Sequence, residues 1–134
     1  MAKYENFIVT KKFLDENPNA IFIFGDNLRR VGYGGAAALR DHKQTYGFIT
    51  KRNPDNMDES FYRPESYNID FLVYAIELQL FIEKNMDKTF YISQLGGGLA
   101  NRYKIWEKVL KPGLEKYFSN YDNVVFLWDK EIDN

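Results

Sequence analysis

Lys51 is the residue with the clearest capacity for chemistry. It follows Gly47-Phe48-Ile49-Thr50, a short strand candidate, and Arg52 stands beside it. An amine at the end of a strand can pair with phosphate or attack a sugar C1 carbon. Attack requires the neutral amine, so burial or the Arg52 charge must lower its pKa. The plain alternative is a solvated lysine. Two glycine loops could supply the other half of a site. One passes from Gly25-Asp26-Asn27 through Gly32, Gly34 and Gly35, and the other is Gly96-Gly97-Gly98. Glycine permits positive φ and close backbone approach. Each loop lies between a strand and a helix candidate, where free N–H groups and the helix dipole favour an anion. Together the loops can hold the two ends of one phosphate-containing ligand; separately, each reads equally as a tight turn. Neither is a GxGxxG fingerprint or a GxxxxGK[ST] loop, so neither a common dinucleotide fold nor phosphoryl transfer is indicated.

Composition narrows the chemistry further. The chain has 134 residues, 45% hydrophobic and 17% aromatic, with a formal net charge of −1. That length and apolar content suit one domain, 1–134, with one core. The charge gives no global pull toward nucleic acid or an anionic membrane. There is no cysteine, which removes disulfides, thiolate catalysis and cysteine-ligated metal. No metal and no cofactor is expected. MAKYENF has no apolar signal core, and no apolar run approaches the ~20 residues of a membrane span. The expectation is a soluble, cytoplasmic monomer with no membrane partner.

These groups need elements to position them. Ala20-Ile21-Phe22-Ile23-Phe24 is apolar at every position, as in a central strand covered on both faces. Phe7-Ile8-Val9, Gly47–Thr50, Thr89–Ser93 and Asn123–Trp128 are further strand candidates. Helices are expected over Thr10–Glu16, Ala36–Lys43, Asn68–Asn85 and from about Arg102, where Trp106, Val109, Leu110, Gly113, Leu114 and Tyr117 share a face. Pro112 predicts a kink there. Ser66 can cap the long helix, which reads as largely buried with a narrow wet edge at Asp70, Glu77 and Lys84. His42, the only histidine, reads as a surface helix residue. Residues 53–66 form a loop long enough to be functional, and the acidic tail is expected to fray. Strands alternating with helices predict an α/β fold with a largely parallel sheet. In such sheets ligands bind beyond the carboxyl ends of the strands.

FGDNLRRVGYGGAAALRD resembles the macrodomain signature, with Asn27 at its asparagine position and Gly34-Gly35-Ala36 at its turn. GFITKRNPD is similar to the threonine-lysine-arginine segment of one macrodomain branch. SQLGGGLANRYKIWEKVLKPGLEKYF resembles that branch's glycine loop and tryptophan helix. The branch holds the terminal ADP-ribose protein glycohydrolases and the DarG-type antitoxins, which remove ADP-ribose from DNA thymidine. The resemblance covers most of Ala20–Phe118. It implies a macrodomain-like three-layer α/β/α sandwich with a mixed, largely parallel central sheet. It implies catalytic roles for Lys51 and Asn27, with Lys51 attacking the anomeric carbon or stabilising the transition state. Asn27 is then the hydrogen-bonding partner of the distal ribose; on the residues alone, Asp26 or Asn27 could instead merely shape the turn. Gly34 and Gly35 shape the distal-ribose side, Gly96, Gly97 and Gly98 with Leu99 and Ala100 wrap the pyrophosphate, and Gly25, Asp26, Thr50 and Asn101 are further ligand-binding candidates. Ala100 stands where protein-directed members carry an aspartate, which points to DNA thymidine. Gly97 stands where the family usually has cysteine. The glycine-aspartate pair that binds adenine has no counterpart near Phe7–Lys12, so adenine is unassigned.

The expected partner is ADP-ribose or an ADP-ribosylated substrate, with single-stranded DNA as a possible carrier. Arg29, Arg30, Arg40, Lys51 and Arg52 then form a phosphate track, or else are scattered solvated charges. Tyr33 and Tyr62 either stack on a base or ribose or simply pack. The alternative to a hydrolase is a module that binds or sequesters ADP-ribose or a related nucleotide signal without turnover. A third reading is a different α/β nucleotide-binding fold.

Overall fold

A computed structural model describes residues 1–131; the acidic tail at 132–134 lies outside the described residues. The chain runs β1 (Lys3–Tyr4), α1 (Lys11–Glu16), β2 (Ala20–Asn27), β3 (Thr45–Lys51), α2 (Pro64–Glu83), β4 (Thr89–Ile92), α3 (Lys111–Phe118) and β5 (Val124–Phe126). A 3-10 turn at Gly35–Leu39 separates β2 from β3, and a second one at Asp58–Ser60 precedes α2. The strands form one sheet in the order β1-β5-β4-β2-β3. Every strand pairing is parallel, so the sheet is parallel rather than mixed. Among the described residues, the one antiparallel contact is an isolated bridge between Lys51 and Phe61.

Alternation along the strands divides the core between the two faces of the sheet. Ile23, Phe90, Ile92, Val124 and Phe126 face α2 and α3. Ala20, Phe22, Phe24 and Val125 face Leu14 of α1 and Ala37 of the first 3-10 turn. The result is a three-layer α/β sandwich with β2 near its centre, and the all-apolar Ala20–Phe24 run is explained by cover on both sides.

Several local expectations are corrected. Phe7-Ile8-Val9 is not a strand; the open edge of β5 is taken by Lys3 and Tyr4 instead, and Phe7 packs on Phe13 and Tyr91. The helix expected over Ala36–Lys43 is only the five-residue 3-10 turn, with no side-chain cap at Gly34. His42 therefore lies in a turn, where its Nε2 meets Asp15 at 2.8 Å. Helix α2 begins at Pro64, whose ring suits the first helical position, so Ser66 sits inside the first turn rather than capping it. Helix α2 is also not largely buried. Tyr67, Phe71, Ala75, Leu78 and Ile82 face the core, whereas Ile69, Leu72, Val73, Ile76 and Leu80 are exposed.

Pro112 does mark an irregularity. A π turn at Trp106–Leu110 runs into α3, with the Lys111 N–H donating to the Trp106 carbonyl. Gly113 allows α3 to approach α2: a Cβ there would lie 2.3 Å from Phe71 Cε1. Gly113→Ala is expected to cost about 1–3 kcal/mol by overpacking, read as a lower urea midpoint at unchanged slope.

Candidate functional site

Strands β2 and β4 are neighbours, yet the chain leaves them in opposite directions. From β2 it continues outward to β3, and from β4 it continues outward to β5. Their carboxyl ends therefore flank a topological switch point, where a crevice forms. A cleft of about 370 Å³ lies there, within the size range of small-ligand sites. It brings together Gly25, Asp26, Asn27, Gly34, Gly35, Thr50, Lys51, Gly96, Gly98, Leu99 and Ala100. Gly97 and Asn101 are not among its lining residues. The Asn101 side chain instead caps the following turn, accepting from Trp106 N–H at 3.0 Å and donating to Glu107.

The first wall is braced by a buried ion pair. Arg40 donates to Asp26 Oδ1 at 2.6 Å and to Oδ2 at 2.9 Å. It also donates to the carbonyls of Gly32 and Val31, so one guanidinium straps the whole loop to the end of β2. The Asn27 amide is committed to the same turn: Nδ2 donates to Val31 O at 2.8 Å, and Oδ1 accepts from Arg29 N–H at 3.1 Å. It thus shapes the loop, and it also lines the cleft. Gly32 and Gly35 take φ of +101° and +57°, the left-handed region open to glycine.

The second wall follows β4. Gly96 has φ +72°, and a Cβ there would meet Leu110 Cδ1 at 2.6 Å. Glycine is thus needed twice over, for conformation and for space. Among the described residues, the N–H groups of Gly96, Gly98, Leu99 and Ala100 find no acceptor within the protein, and neither do those of Gly34, Gly35 and Ala36. Unpaired N–H groups on two walls of one cleft suit an anionic ligand. The five-residue 3-10 turn contributes N–H groups but little helix dipole.

Lys51 ends β3 at the mouth of the cleft. Its Nζ donates to Asp55 O at 2.7 Å and lies 4.5 Å from the Phe61 ring centroid. The Arg102 guanidinium also lies on that ring, at 3.9 Å. Burial lowers the Lys51 pKa, the Asp55 charge opposes the shift, and the Arg102 charge adds to it. Arg102, not the adjacent Arg52, is the cation responsible. Arg52 instead stacks on Tyr62 at 4.3 Å.

Burial and pairing decide among the alternatives left open for the other candidates. Tyr62 is buried and packs on Tyr67, so it cannot stack on a ligand; Tyr33 is exposed and donates to Asp41. Arg30 and Arg40 are paired with Asp26, so the five cations are not one open phosphate track. Ser93 and Gln94 line the cleft without having been singled out; their signal was their position just past a strand end. A second cavity of about 640 Å³ shares Gly35, Ala36, Ser93 and Gln94 with the first, and Phe7, Ile8, Phe22 and Leu39 add apolar wall. Among the described residues no cluster of three His, Asp or Glu side chains could hold a metal ion, and no helix is long and apolar enough to cross a membrane.

A family of unknown function (DUF7831) matches residues 4–101. No curated protein and no solved structure matches the chain.

Proposed function

We propose, from the premise that this chain belongs to the DUF7831 family of unknown function, that it is an ADP-ribose-binding macrodomain of the DarG-like branch that removes ADP-ribose from modified DNA. The observation that carries this reading is the meeting, in one cleft, of two glycine walls with unpaired N–H groups and a lysine whose pKa is lowered. The Gly96–Ala100 wall takes the pyrophosphate. The distal ribose lies between Gly34-Gly35 and Lys51. The second cavity offers apolar walls to the adenine, which the sequence left unassigned.

In the reaction the neutral Lys51 amine attacks the anomeric carbon. The bond from that carbon to the carrier breaks, and its electron pair leaves with the carrier, which takes up a proton. Water then cleaves the lysine–ribose bond and restores the amine. The lack of a carboxylate at Ala100 favours a thymidine carrier over a protein one, in line with the resemblance. A second reading, binding without turnover, is favoured by one contact. Nζ is held by Asp55 O, and it must leave that carbonyl before it can react.

Thermal melting tests the shared part of both readings. Ligand that binds only the native state stabilises by about 2.7 kcal/mol at a hundred times Kd. ADP-ribose is expected to raise Tm by several degrees, with AMP and NAD much weaker. No rise at millimolar ADP-ribose overturns both readings. Multiple turnover of ADP-ribosylated DNA then separates hydrolase from binder.

A further inference from the structure

The outer face of α2 has no role in the cleft and is built unlike a solvent face. Ile69, Leu72, Val73, Ile76 and Leu80 form one stripe at helical spacing, with Ile69 75% and Ile76 56% exposed. The opposite face already fills the core with Tyr67, Phe71, Ala75, Leu78 and Ile82. A helix apolar on both sides expects cover on both, and a contiguous exposed stripe marks an interaction surface. Ile69, Val73, Ile76 and Leu80 follow alternating steps of four and three, the seam of a two-helix contact.

Charge selects the occupant. Glu65, Glu77 and Glu83 are exposed along the stripe, Asp70 is half-buried at its edge, and Lys84 is the one basic residue at its end. A second copy laid antiparallel, with Ile69 over Leu80 and Val73 over Ile76, brings Asp70 beside Glu77 of the other copy. A parallel second copy brings Glu65 beside Asp70. Both arrangements set like charges together. An anionic lipid surface is opposed by the same carboxylates. We propose that this face docks an amphipathic helix of another protein, with an apolar stripe of its own and lysine or arginine along both flanks.

The test uses a labelled synthetic helix of about five turns, with leucine at the seam positions and lysine on both flanks, in fluorescence anisotropy with the full chain. Micromolar binding is expected. It should weaken about tenfold or more on Ile76→Ser, and again on Glu77→Lys, and fall with added salt. A helix with the same leucines and glutamate flanks should not bind. Both substitutions are at exposed positions, and an unchanged Tm confirms that the fold is intact. Equal binding to the Ile76→Ser chain, or to the glutamate-flanked helix, overturns the proposal. So does self-association of the chain by sedimentation that Ile76→Ser abolishes, because the occupant is then a second copy.

Discussion

Lys51→Ala is expected to slow release of ADP-ribose from modified DNA by on the order of 10³-fold, while the ADP-ribose-induced rise in Tm persists. Single-turnover kinetics separate this from weakened binding: kcat falls and KM stays near its original value. The sign of the pH dependence follows from the amine. Burial, reinforced by Arg102, lowers the Lys51 pKa, and in the proposed reaction only the neutral form attacks. The rate should therefore rise with pH up to that lowered pKa and level off above it. Arg102→Gln removes one cause of the lowering and should move the rise to higher pH. A rate that instead falls as pH rises through that range assigns Lys51 to charge stabilisation by its ammonium. Borohydride trapping of a lysine–sugar adduct gives an independent reading of the covalent step.

Asp26→Ala is expected to cost about 3–5 kcal/mol of stability. The Asp26 side chain is 2% exposed and its Arg40 partner 13%. Removing the carboxylate strands a guanidinium that also straps Gly32 and Val31. A loss of that size lowers Tm by roughly 10 °C or more in a chain of this length. Arg30→Ala provides the contrast. Arg30 reaches Asp26 only at 3.4 Å and is 56% exposed, so its loss should cost less than about 1 kcal/mol. Equal losses for the two variants would show that the Arg40 strap does not hold the wall.

The parts of this fold legible in the sequence were those governed by local pattern. The apolar run Ala20–Phe24 marked a central strand, and the short helix expected over Thr10–Glu16 is α1, with Thr10 as its cap, Oγ accepting from Phe13 N–H. The two glycine loops marked the cleft: Gly96 is required by backbone and space together, and Gly32 and Gly35 by backbone alone. The parts left open or misread depend on partners beyond the local pattern. For Asp26 and Asn27 the sequence left a ligand role and a turn-shaping role open; Arg40 reaches the first from across the loop, and the second bonds Val31 and Arg29. The triple alanine at Ala36–Ala38 has high helix propensity, yet five residues without a capping side chain cannot sustain an α-helix. Between Ile69 and Ile82 of α2, 11 of 14 positions are apolar or aromatic, so periodicity did not single out the inward face. Only packing against Ile49, Phe48 and α3 decided that Tyr67 and Phe71 turn in while Ile69 and Ile76 turn out.

The strand order also sets an order of assembly. Phe22 pairs with Thr45 on one side and with Tyr91 on the other, and Lys3 pairs with Val125. Loop-closure entropy rises with the length of chain enclosed, so the β2–β3 pair is the cheapest nucleus and the β1–β5 pair the costliest closure. The Arg40-strapped wall therefore belongs to an early-forming unit, and the Gly96 wall joins it only when β4 docks. Substitutions around Asp26 should slow refolding, whereas those in β1 should chiefly hasten unfolding.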